Sequence, residues 1–370
     1  MKIAPILRAL ESPEMWRGRH AAPIVSVLVH TGQHYDAALS ANIFADLQIH
    51  PPDHVLAVGS GSHAVMSAEV MRRFEPVVIE ERPDVVLVVG DTNSTMASAL
   101  TAAKLQVRVA HVEAGLRSFD RSMPEEINRL VTDAVTDFLF TTEESATENL
   151  RREGHAPEKI FFVGNVMIDS LLWARPRAAH STILDRIGLR HGGGFVLLTV
   201  HRPGNVDRQE TLQSILRAAA EIALDCPVIL PAHPRTRSRI SEFGLEHYVH
   251  AEEASGPAPA AARGRIRMIG PLDYLDCVHL MANARLVLTD SGGVQDETTG
   301  LGVPCLTLRD NTERPATLAG GTNTLVGTTA ERIVACARAA LQNGQLSKRQ
   351  PPLWDGCAAQ RIAQILADRL

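Results

Sequence analysis

Short apolar, β-branched runs alternate along this chain with longer stretches whose apolar residues recur at helical spacing. That alternation predicts parallel strands joined by helices. The runs fall at 24–29, 85–89, 107–112, 138–141, 160–163, 195–200, 228–231, 266–269, 286–289 and 305–308. A helix is expected from Met123 through Val135, because Pro124, Glu125 and Glu126 suit a first turn. Stretches 328–341 and 357–370 read as further amphipathic helices. The strand rhythm pauses over 169–194, which ends in His191-Gly192-Gly193-Gly194, so a linker is expected there between two doubly wound α/β domains. The Pro-rich, aperiodic stretch 251–264 reads as a surface loop.

Composition narrows the class. A length of 370 residues favours two domains, and 45% hydrophobic with 21% charged residues describes a globular protein. A net charge of −5 without a basic stripe argues against nucleic acid as partner. The early charge at Lys2 and Arg8 and the lack of a long apolar stretch predict neither a signal peptide nor a membrane span, hence a cytoplasmic location. Cys226, Cys277, Cys305, Cys336 and Cys357 form no C-x-x-C pair and are read as core fillers. No metal or organic cofactor is expected, since His/Cys ligand spacings are absent. Gly59-Ser60-Gly61-Ser62-His63-Ala64 imitates a dinucleotide fingerprint, but one long helix follows it instead of the required second strand.

In open parallel sheets, ligands bind beyond the carboxyl ends of strands. Five predicted strands lead there into polar residues: Gly90-Asp91-Thr92-Asn93, Glu113-Ala114-Gly115, His201-Arg202, His233-Pro234-Arg235 and Asp290-Ser291-Gly292-Gly293. A helix cap or turn accounts for any one of them. Together they point to a site. Ser291, Gly292 and Gly293 resemble a strand-to-helix phosphate cradle, Glu297 follows where it can meet sugar hydroxyls, and Arg314 can complement a phosphate. Asp91, Glu113, Glu125 and His201 supply titratable groups suited to proton transfer beside a departing phosphate.

These residues, with His30-Thr31-Gly32-Gln33, Pro124-Glu125-Glu126-Ile127-Asn128-Arg129, Gly164-Asn165 and Thr312-Glu313-Arg314-Pro315, give the chain its likeness to a known family. It resembles the non-hydrolysing UDP-N-acetylglucosamine 2-epimerases, relatives of the GT-B glycosyltransferases. The resemblance implies two Rossmann-like domains facing a cleft, over 1–168 and 169–352, with a helix in 353–370 crossing back to the first. It also implies a homodimer that eliminates UDP to a 2-acetamidoglucal and adds it back after C2 is reprotonated on the other face. Asp91, Glu113, Glu125 and His201 match the catalytic residues. Lys2, Arg202, His233, Leu272, Ser291, Gly292, Gly293, Glu297 and Arg314 match substrate contacts.

Departures are part of the reading. Family members open with a short strand and a Gly-x-Arg-Pro loop before the helix that bears the equivalent of Lys2, whereas this sequence starts at that helix. The expectation is a first sheet interrupted near its middle and a catalytic site without that arginine. Pro203-Gly204, Cys277 and Ala316 are smaller departures. Epimerisation of a modified UDP-2-acetamido sugar, GT-B glycosyl transfer and nucleotide-sugar binding without turnover are the competing functions.

Overall fold

The computed structural model describes residues 1–12, 16, 23–32, 44–189, 194–251, 264–343 and 350–370. Gln33 and the interior of the expected 251–264 loop lie outside them. The chain divides into two compact units, Met1–Ser170 with Pro352–Leu370, and Leu171–Pro351.

In the first unit, strands β1 (Val29–His30) and β2 (His54–Val55) form one parallel pair, and β3 (Val85–Val89), β4 (Arg108–Val112), β5 (Phe138–Thr141) and β6 (Ile160–Phe162) form a second parallel sheet in that order. The expected strand at 24–29 shrinks to its last residue plus His30, which pair with β2 over a ladder two residues long. Helices cover both faces of the four-stranded sheet. On one face, Ile6 and Leu10 of the helix Ile3–Glu11 meet Ile362 and Leu366 of the C-terminal helix Ala358–Arg369 over Val112 and Phe140. On the other, Phe74 and Val78 pack on Val86, Val88 and Val109. Full burial of such side chains contributes about 1.5–3 kcal/mol each. Asp169 fastens the C-terminal helix by accepting from Ala358 N at 3.2 Å and Ala359 N at 2.7 Å.

The second unit contains a seven-stranded parallel sheet, built from β7 (Val196–Thr199), β8 (Val228–Pro231), β9 (Val249–Ala251), β10 (Ile266–Ile269), β11 (Leu286–Thr289), β12 (Cys305–Thr307) and β13 (Asn323–Leu325) in the order β13-β12-β11-β7-β8-β10-β9. Strands β9 and β13 escaped the sequence pattern. Both are three-residue edge strands, and an edge needs no continuous apolar run. Helices expected at 123–135, 328–341 and 357–370 occur at Pro124–Ala134, Ala330–Asn343 and Ala358–Arg369. A single helix, His63–Glu81, follows the Gly59-Ser60-Gly61 turn, as the argument against a dinucleotide site required. Among the described residues no helix is long and apolar enough to cross a membrane. All five cysteines are free thiols.

Candidate functional site

Each unit gathers polar residues beyond the carboxyl ends of its strands. In the first, β3 ends at Val89 and the chain turns through Gly90 and Asp91 into the helix Asn93–Lys104, whose N-cap is Thr92. Strand β4 ends at Val112, and Glu113 follows with a φ of +73°. A non-glycine residue held in this left-handed region carries strain that the surroundings must overcome. Two contacts do so here. Glu113 forms an ion pair with Lys2, and backbone N–H groups of Glu113 and Ala114 both donate to Phe140 O at 3.1 Å. Gly115 comes next with a φ of +78°, where a Cβ would stand 2.3 Å from the Ala146 carbonyl oxygen. Only glycine fits such a turn.

The helix Pro124–Ala134 supplies the third acid, but its two glutamates differ. Glu126 is buried and accepts from Ser118 N at 2.9 Å, Phe119 N at 3.0 Å and Arg129 Nη1 at 2.8 Å. Glu125 lies half-buried beside it. The other Arg129 nitrogen pairs with Asp91, and Asn128 Nδ2 donates to Asp91 O at 2.9 Å. Asn128 and Arg129 therefore hold Asp91 and Glu126. This network keeps one acid buried in structural bonds while Asp91 and Glu125 keep part of their surface exposed.

In the second unit, β7 ends before His201-Arg202 and β11 ends before Asp290. Asp290 is fully buried and accepts from Arg202 N at 3.0 Å and Asn205 Nδ2 at 3.1 Å, while His201 Nδ1 lies 3.2 Å from its other oxygen. Burial opposes ionisation of Asp290, but His201 and these backbone donors outweigh it and leave the carboxyl below its ordinary range. Asp290 thus orients the loop that exposes His201. Ser291 then precedes the helix Gly292–Leu301, and the αC–H side of Gly292 faces a packed pair: a Cβ there would meet Glu313 Oε1 at 2.7 Å and Arg314 Nε at 2.9 Å.

Glu313 is the hub of the cationic cluster. Arg202 donates to it at 3.1 Å and Arg309 pairs with it at 2.8 Å. Burial would raise its pKa, yet Arg309, Arg202 and Arg314 together hold it well below the usual carboxylate range. Arg314 pairs in turn with the buried Asp296. Arg202, Arg309 and Arg314 thus gather three guanidinium groups beside a helix N-terminus, which suits a phosphate-bearing ligand. One turn further, burial pushes the Glu297 carboxyl up to about 7, and its Oε1 is buried without a hydrogen-bond partner among the described residues. A ligand hydroxyl is the kind of donor this oxygen lacks.

The structure thus joins Lys2 to Glu113 in one unit, and His201, Arg202, Gly292 and Arg314 through Asp290 and Glu313 in the other. His233 caps the helix Pro234–Glu242 by accepting from Arg235 N at 3.2 Å. Leu272 is half-buried after β10, and Ser291 and Gly293 are half-buried at the helix start. Sequence reading assigned no part in the site to Glu313, Asp296, Glu126 or Asp133. Among the described residues no cluster of His, Cys, Asp or Glu could hold a metal ion.

A family model described as UDP-N-acetylglucosamine 2-epimerase matches residues 19–367. The UDP-N-acetylglucosamine 2-epimerase of Methanocaldococcus jannaschii is 40% identical over 378 residues, which cover 99% of this chain and 95% of that protein. A UDP-2,3-diacetamido-2,3-dideoxy-D-glucuronate 2-epimerase of Pseudomonas aeruginosa is 43% identical over 345 residues, covering 92% and 91%. A crystal structure of the M. jannaschii enzyme in complex with UDP-GlcNAc and UDP superposes with a TM-score of 0.86 at 39% identity, covering 99% of this chain and 96% of that one.

Proposed function

The chain belongs to the UDP-N-acetylglucosamine 2-epimerase family, and on that premise we propose that it interconverts UDP-GlcNAc and UDP-ManNAc for surface polysaccharide synthesis. The reading is carried by one observation: carboxylates at the ends of adjacent strands, Asp91 and Glu113, are each paired with a cation, Arg129 and Lys2.

The reaction removes a proton from C2 as the C1–O bond to UDP breaks, giving a 2-acetamidoglucal. Return of a proton to the opposite face, with re-addition of UDP at C1, yields the epimer. Asp91, Glu113 and Glu125 are the groups we assign to proton transfer, with Lys2 tuning Glu113. Arg202, Arg314 and the Ser291-Gly292-Gly293 turn stabilise the leaving diphosphate, with His201 beside it. Preorganised donors of this kind act where charge develops. Glu297 takes ribose hydroxyls, and His233 and Leu272 complete the nucleotide-sugar contacts. No organic cofactor is required by this scheme. The enzyme works in the cytoplasm as a homodimer.

Turnover in deuterium oxide tests the reaction: recovered UDP-GlcNAc and UDP-ManNAc should carry deuterium at C2. Retention of the original hydrogen during epimerisation would sink the elimination scheme. The P. aeruginosa relative at 43% identity supports a second reading, the same chemistry on a UDP-diacetamido uronic acid. Comparing kcat/KM on the two sugar nucleotides separates them.

A further inference from the structure

Epimerisation through opposite faces of one carbon requires acid and base to be placed together, since a misplacement of about 1 Å costs roughly 10²-fold in rate. Asp91 and Glu113 sit on different turns, so something must hold those turns in register. We propose that His111 is the positioning residue that does so, clamping the Gly90–Asp91 turn to Asp133, the carboxylate that also fixes the Glu113–Gly115 turn. The inference rests on the epimerase reading above.

His111 lies on β4, and its side chain is fully buried. Its Nε2 is 2.8 Å from the Gly90 carbonyl oxygen and its Nδ1 is 2.6 Å from Asp133 Oδ1. A carbonyl only accepts, so Nε2 carries a hydrogen. Asp133 is ionised: burial opposes this, but His111 and Arg117 outweigh it and hold the carboxyl below its ordinary range. The ring is thus tied at both nitrogens, to the Gly90 carbonyl on one side and to the Asp133 carboxylate on the other. The second Asp133 oxygen accepts from Gly115 N at 3.0 Å and Arg117 Nη2 at 2.7 Å. Arg117 also reaches Glu153 at 2.8 Å.

Gly90 shows why the clamp matters for both acids. It has a φ of +77°, and a Cβ added there would lie 3.2 Å from Lys2 Nζ and 3.5 Å from Glu113 Oε2. Its backbone is the floor under the Lys2–Glu113 pair, and Asp91 is the next residue. Releasing the Gly90 carbonyl shifts Asp91 directly and loosens the packing of Glu113.

The test compares His111→Phe, which keeps the ring volume and removes both ring nitrogens, with His111→Gln, whose amide still donates to the Gly90 carbonyl. For the Phe variant kcat should fall about 10²-fold with KM for UDP-GlcNAc within about threefold of the parent, because the clamp fixes reacting groups and not the nucleotide. The Gln variant should regain part of the loss, and C2 deuterium exchange should fall in step with kcat. A folded Phe variant with parental kcat, or a loss carried wholly by KM, overturns the proposal. In the unsubstituted protein, ¹⁵N resonances of one buried histidine should show a hydrogen held on Nε2. An Nε2 without a hydrogen overturns the clamp even where the variants do not fold. Failure of the parent to epimerise any UDP-sugar refutes the functional reading instead, and leaves the histidine measurement standing.

Discussion

Replacing Glu297 by Gln removes a buried acid whose ionisation opposes folding. Burial, with the Asp296 charge adding to it, raises this carboxyl from 4.5 to about 7 although the neighbouring Tyr274 works against the rise. Between those two values the unfolded chain has released the proton while the folded chain retains it. The proton-linked stability is therefore complete below the unfolded value and is lost as pH rises through the folded one. A displacement from 4.5 to about 7 corresponds to roughly 3 kcal/mol at about 1.36 kcal/mol per unit. Gln is close in shape to the protonated acid and does not titrate. The two proteins should be nearly equally stable near pH ~4.5, and the variant should lead by roughly 3 kcal/mol above pH ~7.5. Urea denaturation followed by circular dichroism across this range measures the difference directly. A saturating UDP-sugar should shrink it, because ribose hydroxyls donate to the ionised form. A difference that stays flat within about 1 kcal/mol refutes the argument that burial governs this carboxyl.

Three further outcomes follow from individual contacts. Asp290→Asn replaces an acceptor for Arg202 N and Asn205 Nδ2 by an amide, so stability should fall by about 3 kcal/mol in denaturant titrations, and kcat should fall with it as His201 loses its anchor. Gly115→Ala forces a Cβ to 2.3 Å from Ala146 O at a φ of +78°; the cost should exceed about 2 kcal/mol, read as a lowered denaturation midpoint. Trp354→Phe keeps most of the apolar burial but removes the indole bond to Thr142 O at 3.0 Å, and thermal unfolding should report a loss of about 1–2 kcal/mol.

The architecture was legible because parallel strands advertise themselves. Residues 85–89 and 286–289 are apolar runs with polar turns at their carboxyl ends, and both strands form as read. What failed was the detail that depends on neighbours: 24–28 have a suitable composition, but the ladder with β2 is two residues long and begins at Val29. The edge strand Asn323–Leu325 has the converse property, a ladder without a pattern.

The site divides in the same way. Asp91 and Glu113 were visible because a charged residue directly after an apolar run has little structural reason to be there. Their partners were not visible, because Lys2 meets Glu113 across 111 positions and Arg202 meets Glu313 across another 111. Local sequence holds no record of such pairings. Within the helix Pro124–Ala134 a signal did exist. Glu126 and Arg129 are spaced for an i,i+3 ion pair, and Asp133 stands one turn beyond Arg129, all three fully buried. Charges spaced along a face that the fold buries must be satisfied by distant groups, since each unpaired one costs several kcal/mol. Such a helix therefore predicts that cations and donors converge on it from elsewhere in the chain. His111, Arg117 and Ser118 are the residues that do. Searching amphipathic helices for acids on the apolar face would have pointed to the supporting network before the fold was known. That network, more than the exposed acids alone, ties the Gly90–Asp91 and Glu113–Gly115 turns to one carboxylate, Asp133.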